Sequence, residues 1–392
     1  MRALLAVNHL QGVGHLRRAL RVAGAFAARG VETHIANGGR AIGMPVPPGV
    51  RQHDLPSIAA ADASYGALVG AAGPVDEAYL ERRRARLLDL VDEIGPTLLV
   101  TEHFPFGRGA LRDEYLRLVA AARAHGARVL ASVRDIVEPP RAPGRAERQL
   151  ADAQLFDAIL VHGDPRLAAL EESLPHVAGL RHVFYTGLVT EAPAPAPRDP
   201  ARAIVSAGGG ATGAGLFEAA LRAAALPEGR ALTWHVRQGW HAEASPPVAA
   251  PPNVAILPPA RDFPAELAQA GVSVSQAGYN TVGEALAAAT PMVLVPHAGP
   301  GQAEQTFRAQ RFAARGLAEH VPEARLSPER LLAAVLRARE RGAPAHGLAL
   351  DGAARSAETS LALADRAAPA LPPSKSPPEK DAWTSSPFTT SA

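Results

Sequence analysis

The stretch Ser275-Gln276-Ala277-Gly278-Tyr279-Asn280-Thr281, with Glu284 following, gathers polar side chains and backbone donors around a predicted helix N-terminus. Gly278 supplies a sharp turn. The backbone N–H groups of Tyr279, Asn280 and Thr281 lack intrahelical acceptors there and point outward with the positive pole of the helix dipole. Such a terminus holds anionic groups, phosphates above all. Glu284, one turn further in, can reach a hydroxyl beside those phosphates. The same letters allow a second reading, because Thr281-Val-Gly-Glu284 also has capping-box spacing, in which the two side chains satisfy backbone N–H groups without a ligand. Spacing alone leaves both open.

Two glycine runs, Gly12-Val-Gly14 and Gly208-Gly209-Gly210, follow predicted strands and permit either tight turns or close backbone approach to a ligand. His15 comes directly after the first. An imidazole at the start of the first helix is a candidate general base, and equally a satisfied structural histidine. His9 is a neighbour able to share that role. Glu102, His103, Arg134, Asp135, His162 and Asp164 fall at or just past predicted strand ends, where α/β sheets bind ligands, although each could instead be a surface residue or part of a buried ion pair. Arg82, Arg83, Arg84 and Arg86 read as a solvated helix face rather than a lipid-headgroup patch.

Composition removes several chemistries. The 392 residues include no cysteine, so thiolate nucleophiles, disulfides and cysteine metal sites are excluded. Of 40 basic side chains only Lys375 and Lys380 are lysines, both near the C-terminus, so the body has no lysine for a Walker loop or a Schiff base. The net charge of +2 argues against nucleic acid as a partner. No clustered Asp/His spacing demands a metal, and no cofactor is implied. The apolar opening, residues 1–7, is too short for a signal peptide or a membrane span, which points to the cytoplasm.

The elements that must position these residues alternate between short β-branched runs and longer helical stretches, the pattern of parallel α/β architecture. Strands are expected at 3–8, 31–36, 97–101, 128–133, 158–162 and 182–186, with helices at 15–29, 76–94 and 108–125 between several of them. The proline-rich residues 191–200 read as a linker. The plan then restarts with strands at 203–206, 232–236, 254–257, 272–275 and 292–295 and helices from 262, 279, 302 and 327. The expectation is an N-terminal domain over 1–190, a C-terminal domain over 201–366 and a disordered tail over 367–392. Two tandem Rossmann-like, doubly wound domains of this kind place a ligand in an interdomain cleft.

The strings Gly12-Val-Gly-His-Leu-Arg-Arg-Ala19, Ser206-Ala-Gly-Gly-Gly-Ala-Thr-Gly213 and Ser275-Gln-Ala-Gly-Tyr-Asn-Thr281 with Glu284 together resemble a family 28 type glycosyltransferase of the GT-B fold. Thr101-Glu-His-Phe-Pro-Phe-Gly-Arg108, Ser132-Val-Arg-Asp-Ile136 and Val161-His-Gly-Asp-Pro165 extend the likeness to a group of predicted bacterial glycosyltransferases related to the lipid I N-acetylglucosaminyltransferases. The resemblance covers residues 1–341. It implies an inverting, metal-independent transfer of a hexose or N-acetylhexosamine from a nucleotide diphosphate sugar, most simply UDP-linked, to an unknown small-molecule, glycan or lipid-linked acceptor. A hydrolase or epimerase of the same fold, or a non-catalytic nucleotide-sugar-binding protein, is the alternative.

By the same resemblance, Gly208, Gly209 and Gly210 approach the donor phosphates, with Gly210 replacing a serine of the related enzymes. Gln276, Gly278, Tyr279, Asn280 and Thr281 surround the diphosphate, and Glu284 accepts from the ribose. The backbone at Arg261 holds the base, and Glu304 and Gln305 meet the sugar, unless they are an ordinary exposed helix start. His15 becomes the base, with Gly14, Glu102, His103, Arg134 and Asp135 on the acceptor side. Peripheral contact with the inner face of the membrane is compatible with a lipid-linked acceptor.

Overall fold

The computed structural model describes all residues except 11, 62–66, 72, 208–212, 239–248, 300–301 and 366–392. Contacts divide the chain into two units, Met1–Val189 with the helical segment that begins at Asp351, and Thr190–Leu350.

The first unit is built on β1 (Arg2–Val7), β2 (Glu32–Asn37), β3 (Val50–Asp54), β7 (Leu98–Glu102), β8 (Arg128–Arg134), β9 (Ala158–His162) and β10 (Val183–Tyr185). A small antiparallel sheet of β4 (Ile58–Ala60), β5 (Leu68–Gly70) and β6 (Gly73–Pro74) is inserted after β3. The seven strands form one parallel sheet in the order β10-β9-β8-β7-β1-β2-β3. Runs such as Ala3–Val7 and Leu98–Glu102 are buried throughout, as expected of strands covered on both faces.

The covering helices include α1 (Gly14–Ala27), α2 (Glu77–Ile94), α3 (Arg112–Ala124), α4 (Arg145–Ala153) and the short α5 (Leu170–Ser173). Helix α1 buries Leu16, Leu20, Ala23 and Phe26, one stripe at helical spacing. Helix α2 starts where Asp76 accepts from the Tyr79 N–H at 2.7 Å and stops at Gly95, whose φ of 54° closes the helix in the left-handed region. The strand order reverses between β1 and β7. Loops leaving those neighbouring strands therefore diverge and open a crevice at their carboxyl ends.

The second unit repeats the plan with β11 (Asp199–Ser206), β12 (Thr233–Arg237), β13 (Val254–Leu257), β14 (Ala270–Ser275), β15 (Met292–Leu294) and β16 (Glu319–His320), all parallel, in the order β13-β12-β11-β14-β15-β16. Its helices are α6 (Ala214–Ala224), α7 (Phe263–Gln269), α8 (Tyr279–Ala287), α9 (Glu304–Ala314) and α10 (Pro328–Arg341). Here the order reverses between β11 and β14, and Ser206 stands in register with Ser275 at the two carboxyl ends.

Several expectations are corrected. The linker ends earlier than residue 200, because Asp199 and Pro200 already belong to β11, where the register shifts between Asp199 and Ala203 and accommodates the proline. The second unit does not run to 366, since a final helix, α11 (Gly352–Ala364), packs on α1 of the first unit. Strand β3 and the small sheet were not expected, being short or half polar. Arg83 and Arg84 are not a solvated face. Arg83 is buried and donates to Glu114 at 2.7 and 3.0 Å, to Asn8 Oδ1 at 2.9 Å and to the carbonyls of Gly38 and Pro56. Arg84 is buried beside Asp113 and Glu77.

Candidate functional site

In the first unit the β1/β7 crevice joins residues far apart in sequence. Gly12, with a φ of 60°, turns the chain after β1, and His15 enters as the second residue of α1. Glu102 is the last residue of β7. His15 Nδ1 lies 2.8 Å from Glu102 Oε1, and Arg18, one turn along α1, pairs with the same oxygen. Arg18 Nη2, a donor, also lies 3.1 Å from His15 Nδ1, but the shorter contact is to a carboxylate that only accepts, which places the His15 proton on Nδ1 and leaves the lone pair on Nε2. The ring is 15 % exposed, whereas Glu102 and Arg18 are 3 % and 2 %.

Desolvation holds His15 well below the ordinary histidine pKa, and Arg108, Arg18, Arg134 and His9 push in the same direction. Arg18 lies against the same Glu102 oxygen, so its positive charge opposes protonation of the imidazole. His15 is thus a neutral imidazole at pH 7, oriented by a carboxylate.

His103 stands beside it, with ring centroids 4.9 Å apart. Its φ of 70° is uncommon for a non-glycine residue and is fixed from both sides, by donation of its N–H to Ser132 O at 2.8 Å and acceptance from Gly107 N–H at 2.7 Å. A Cβ at Gly107 would come within 2.2 Å of the His103 ring, so only glycine admits the imidazole. Burial first, then His15, Arg108 and Arg134, depress the His103 pKa well below its usual value. Its Nδ1 is buried and has no hydrogen-bond partner among the described residues.

Other expected residues separate into two groups. Arg134 ends β8 and acts electrostatically on both imidazoles. Gly14 begins α1. His9 is buried against Gly39 and donates from Nε2 to Arg40 O at 3.1 Å, and Gly39 and Arg40 line a cavity of about 550 Å³ with Asp54, Leu55, Ser57 and Tyr79 among others. Asp135 is buried, with Oδ1 accepting from Ile136 N–H at 2.8 Å, and Asp164 forms a bidentate pair with Arg166. Both of those bonds are local to their loops.

In the second unit the β11/β14 reversal sets the Ser275 motif at the carboxyl end of β14. The N-cap of α8 is Gly278, with no side-chain cap, so Tyr279, Asn280 and Thr281 occupy the first three helical positions. The capping-box reading required Thr281 itself at the cap and is thereby overturned. Thr281 and Glu284 lie three apart on one helix face, Thr281 half-buried and Glu284 1 % exposed. Gln276 and Tyr279 are buried, and Asn280 is half-buried.

Gly278 is not needed for a sharp turn. Its φ of −68° suits any residue, and among the described residues an added Cβ would meet nothing nearer than Thr281 Oγ1 at 4.0 Å. What the glycine leaves is a first turn that no described side chain covers.

Glu304 and Gln305 begin α9. Glu304 accepts from Arg308 at 2.7 Å, and Gln305 Oε1 accepts from the His297 N–H at 3.0 Å. Arg308, fully buried, also donates to Ala277 O at 2.7 Å and lies 5.8 Å from the Tyr279 ring centroid, so it ties the starts of α8 and α9 together. Sequence reasoning missed Arg308, whose only signal was its i,i+4 spacing from Glu304. Arg261 is exposed in the loop before α7. Gly208, Gly209 and Gly210 lie outside the described residues. Among the described residues no group of three or more His, Asp or Glu side chains could hold a metal ion, and no helix is long and apolar enough to cross a membrane.

Comparison with known proteins bears on both units. Residues 204–350 match the glycosyltransferase family 28 C-terminal domain. Over 208 residues the chain is 30% identical to the UDP-N-acetylglucosamine--N-acetylmuramyl-(pentapeptide) pyrophosphoryl-undecaprenol N-acetylglucosamine transferase of Synechococcus sp. (strain JA-2-3B'a(2-13)), a match covering 50% of this chain and 53% of that one. The chain thus spans about half the length of this curated relative. The calicheamicin glycosyltransferase CalG4 superposes with a TM-score of 0.60 at 18% identity, covering 94% of this chain and 100% of that one. MurG of Acinetobacter baumannii superposes with a TM-score of 0.55 at 16% identity, covering 93% and 98%. These likenesses identify the fold as GT-B, and residues 204–350 as similar to a family 28 C-terminal domain.

Proposed function

We propose that this family 28 type GT-B protein transfers a sugar from a nucleotide diphosphate donor to an acceptor hydroxyl, with inversion and without a metal. The observation that carries the reading is the neutral His15 with Nδ1 bound to Glu102. In the reaction the acceptor oxygen bonds to the anomeric carbon as its proton passes to His15 Nε2, and the sugar–phosphate bond breaks with its electron pair on the departing nucleoside diphosphate. Attack opposite the leaving group inverts the anomeric centre.

The growing charge on the diphosphate is met by the N–H groups of Tyr279, Asn280 and Thr281 at the α8 start, a role that needs no cation. Glu284 accepts from the ribose hydroxyls, the Arg261 loop holds the base, and Glu304 and Gln305 face the donor sugar. Gly208, Gly209 and Gly210 complete the phosphate side. The relative from Synechococcus, by its name, uses UDP-N-acetylglucosamine and an undecaprenol-linked acceptor, so UDP-N-acetylglucosamine is the first donor to try. A lipid-linked acceptor would bring the protein to a membrane surface on its cytoplasmic side. The cavity lined by Gly39 and Arg40, the two residues His9 packs against and donates to, is the space this reading gives to the acceptor's body.

Calorimetry with UDP, GDP and TDP in EDTA tests the donor half. Saturable UDP binding unchanged by EDTA is expected, and absence of binding for all three nucleotides would overturn it. Turnover of UDP-N-acetylglucosamine followed by NMR then separates transfer from its alternatives. Free sugar or an epimer formed without acceptor would identify a hydrolase or epimerase.

A further inference from the structure

We infer that Ser132 and His162 are positioning residues for His15, locking the Glu102 carboxylate so that the base is kept as its Nδ1–H tautomer. The inference rests on the role given to His15 above, but its geometry is independent of any substrate.

Glu102 Oε1 receives His15 and Arg18, and Oε2 receives Ser132 Oγ at 2.7 Å. With its hydroxyl proton directed to the carboxylate, Ser132 must act as acceptor toward its other neighbour, His162 Nε2 at 2.8 Å. His162 therefore has its proton on Nε2, and its Nδ1 accepts from Thr186 Oγ1 at 2.9 Å. One direction runs through the whole chain, from Thr186 to His162 to Ser132 to Glu102. Helix α11 closes over the far end, with Ser356 Oγ 3.3 Å from His162 Nδ1 and donating its own proton to Gly352 O at 2.5 Å.

Every member is buried, Ser132 and Glu102 at 3 %, Thr186 at 1 % and His162 and Ser356 at 0 %. Burial also drives the His162 pKa down to about 3, so the ring does not charge and reverse the chain at working pH. A Glu side chain has a broad terminal torsion, and partners on Oε1 alone leave the second oxygen free to swing. A bond on each oxygen removes that freedom. If the carboxylate rotates, the Nε2–H tautomer of His15 becomes accessible, and that tautomer has no lone pair facing an acceptor hydroxyl.

The test uses full-length protein with labelled histidine. Nitrogen-15 NMR should show a single Nδ1–H tautomer for His15 in the parent chain and in Ser132→Thr, which keeps the hydroxyl. Ser132→Ala should show both tautomers and a displaced His15 titration, read against the groups that face it: Glu102, Arg18, His103, Arg108, Arg134 and His9. Its kcat should fall about ten- to a hundredfold, the range for losing an outer partner of a functional histidine, with nucleotide affinity unchanged. His162→Gln, which retains a donor toward Ser132, should keep the single tautomer. A lowered melting temperature in Ser132→Ala with the tautomer and titration of His15 unmoved would reduce the chain to packing and overturn the inference. Should no transferase activity be found in the parent protein, the proposed function fails while the tautomer result still decides this point.

Discussion

His15 carries two expectations of different kinds. As the base it should be dispensable for donor binding, so His15→Ala is expected to lower turnover by about 10²- to 10⁴-fold with UDP affinity nearly unchanged. As a buried neutral imidazole it links stability to pH. Burial and neighbouring cations depress the folded-state pKa of His15 and His103, and burial brings His162 to about 3, against an unfolded value of 6.5 for each. When the folded value is the lower one, the unfolded chain binds more protons as pH falls. Stability is therefore complete above about pH 6.5 and is lost as pH drops toward the folded pKa, by up to about 1.4 kcal/mol per pH unit for each such histidine. Denaturant melts of the first unit between pH 7.5 and 4.5 should show this slope. His162→Gln should reduce it, and a stability that rises on acidification through that window would contradict the buried neutral assignment.

At the scale of an element, the start of α8 separates a cap from a binding site. Gly278 meets no backbone demand that alanine could not satisfy, and none of the described residues crowds the space above it. Alanine is a poorer N-cap than glycine by an amount comparable to what it removes from the unfolded chain's entropy, so the two effects offset. Gly278→Ala is therefore expected to leave thermal stability within about 1 kcal/mol while weakening UDP binding at least about tenfold, or roughly 1.4 kcal/mol. Unchanged affinity in that variant would mean that the diphosphate does not approach the first-turn N–H groups. Arg308 gives the element its rigidity, because one buried guanidinium satisfies Glu304 on α9 and the Ala277 carbonyl before α8.

For the molecule as a whole, the notable assignment is that the chain's last helix belongs to its first unit. Gly352 makes this docking close, since a Cβ there would lie 2.4 Å from Gly187 O and 2.7 Å from the Leu188 backbone. Those contacts are backbone and cannot swing aside. Gly352→Val should destabilise the first unit by about 2 kcal/mol or more, with hydrogen exchange accelerated in β8, β9 and α1 and UDP affinity of the second unit unchanged. Equal loss of protection in both units would show that α11 does not serve the first alone.

The alternation of β-branched runs with helical stretches, the turn at Gly12, the helix start after Gly278 and the place of His15 at the head of α1 were all legible in the sequence. Each depends on local periodicity or on the chemistry of a few adjacent residues, and the expected strands 158–162 and 254–257 match β9 and β13 to the residue. What local pattern cannot specify is which strands become neighbours. His15 and Glu102 are 87 residues apart and meet only because β1 lies between β2 and β7 in the sheet. The same non-local pairing brings Ser132 and His162 behind Glu102, as β7, β8 and β9 lie side by side. Burial was equally hidden. An arginine-rich helix reads as solvated until Glu114 and Asn8 arrive to satisfy Arg83, and a terminal alanine-rich helix reads as part of the domain it follows until its glycine and serines fit against α1 and His162. Sequence fixes what each segment can become, and the sheet order, which is a contest among distant pairings for buried area, decides which of its side chains become a site.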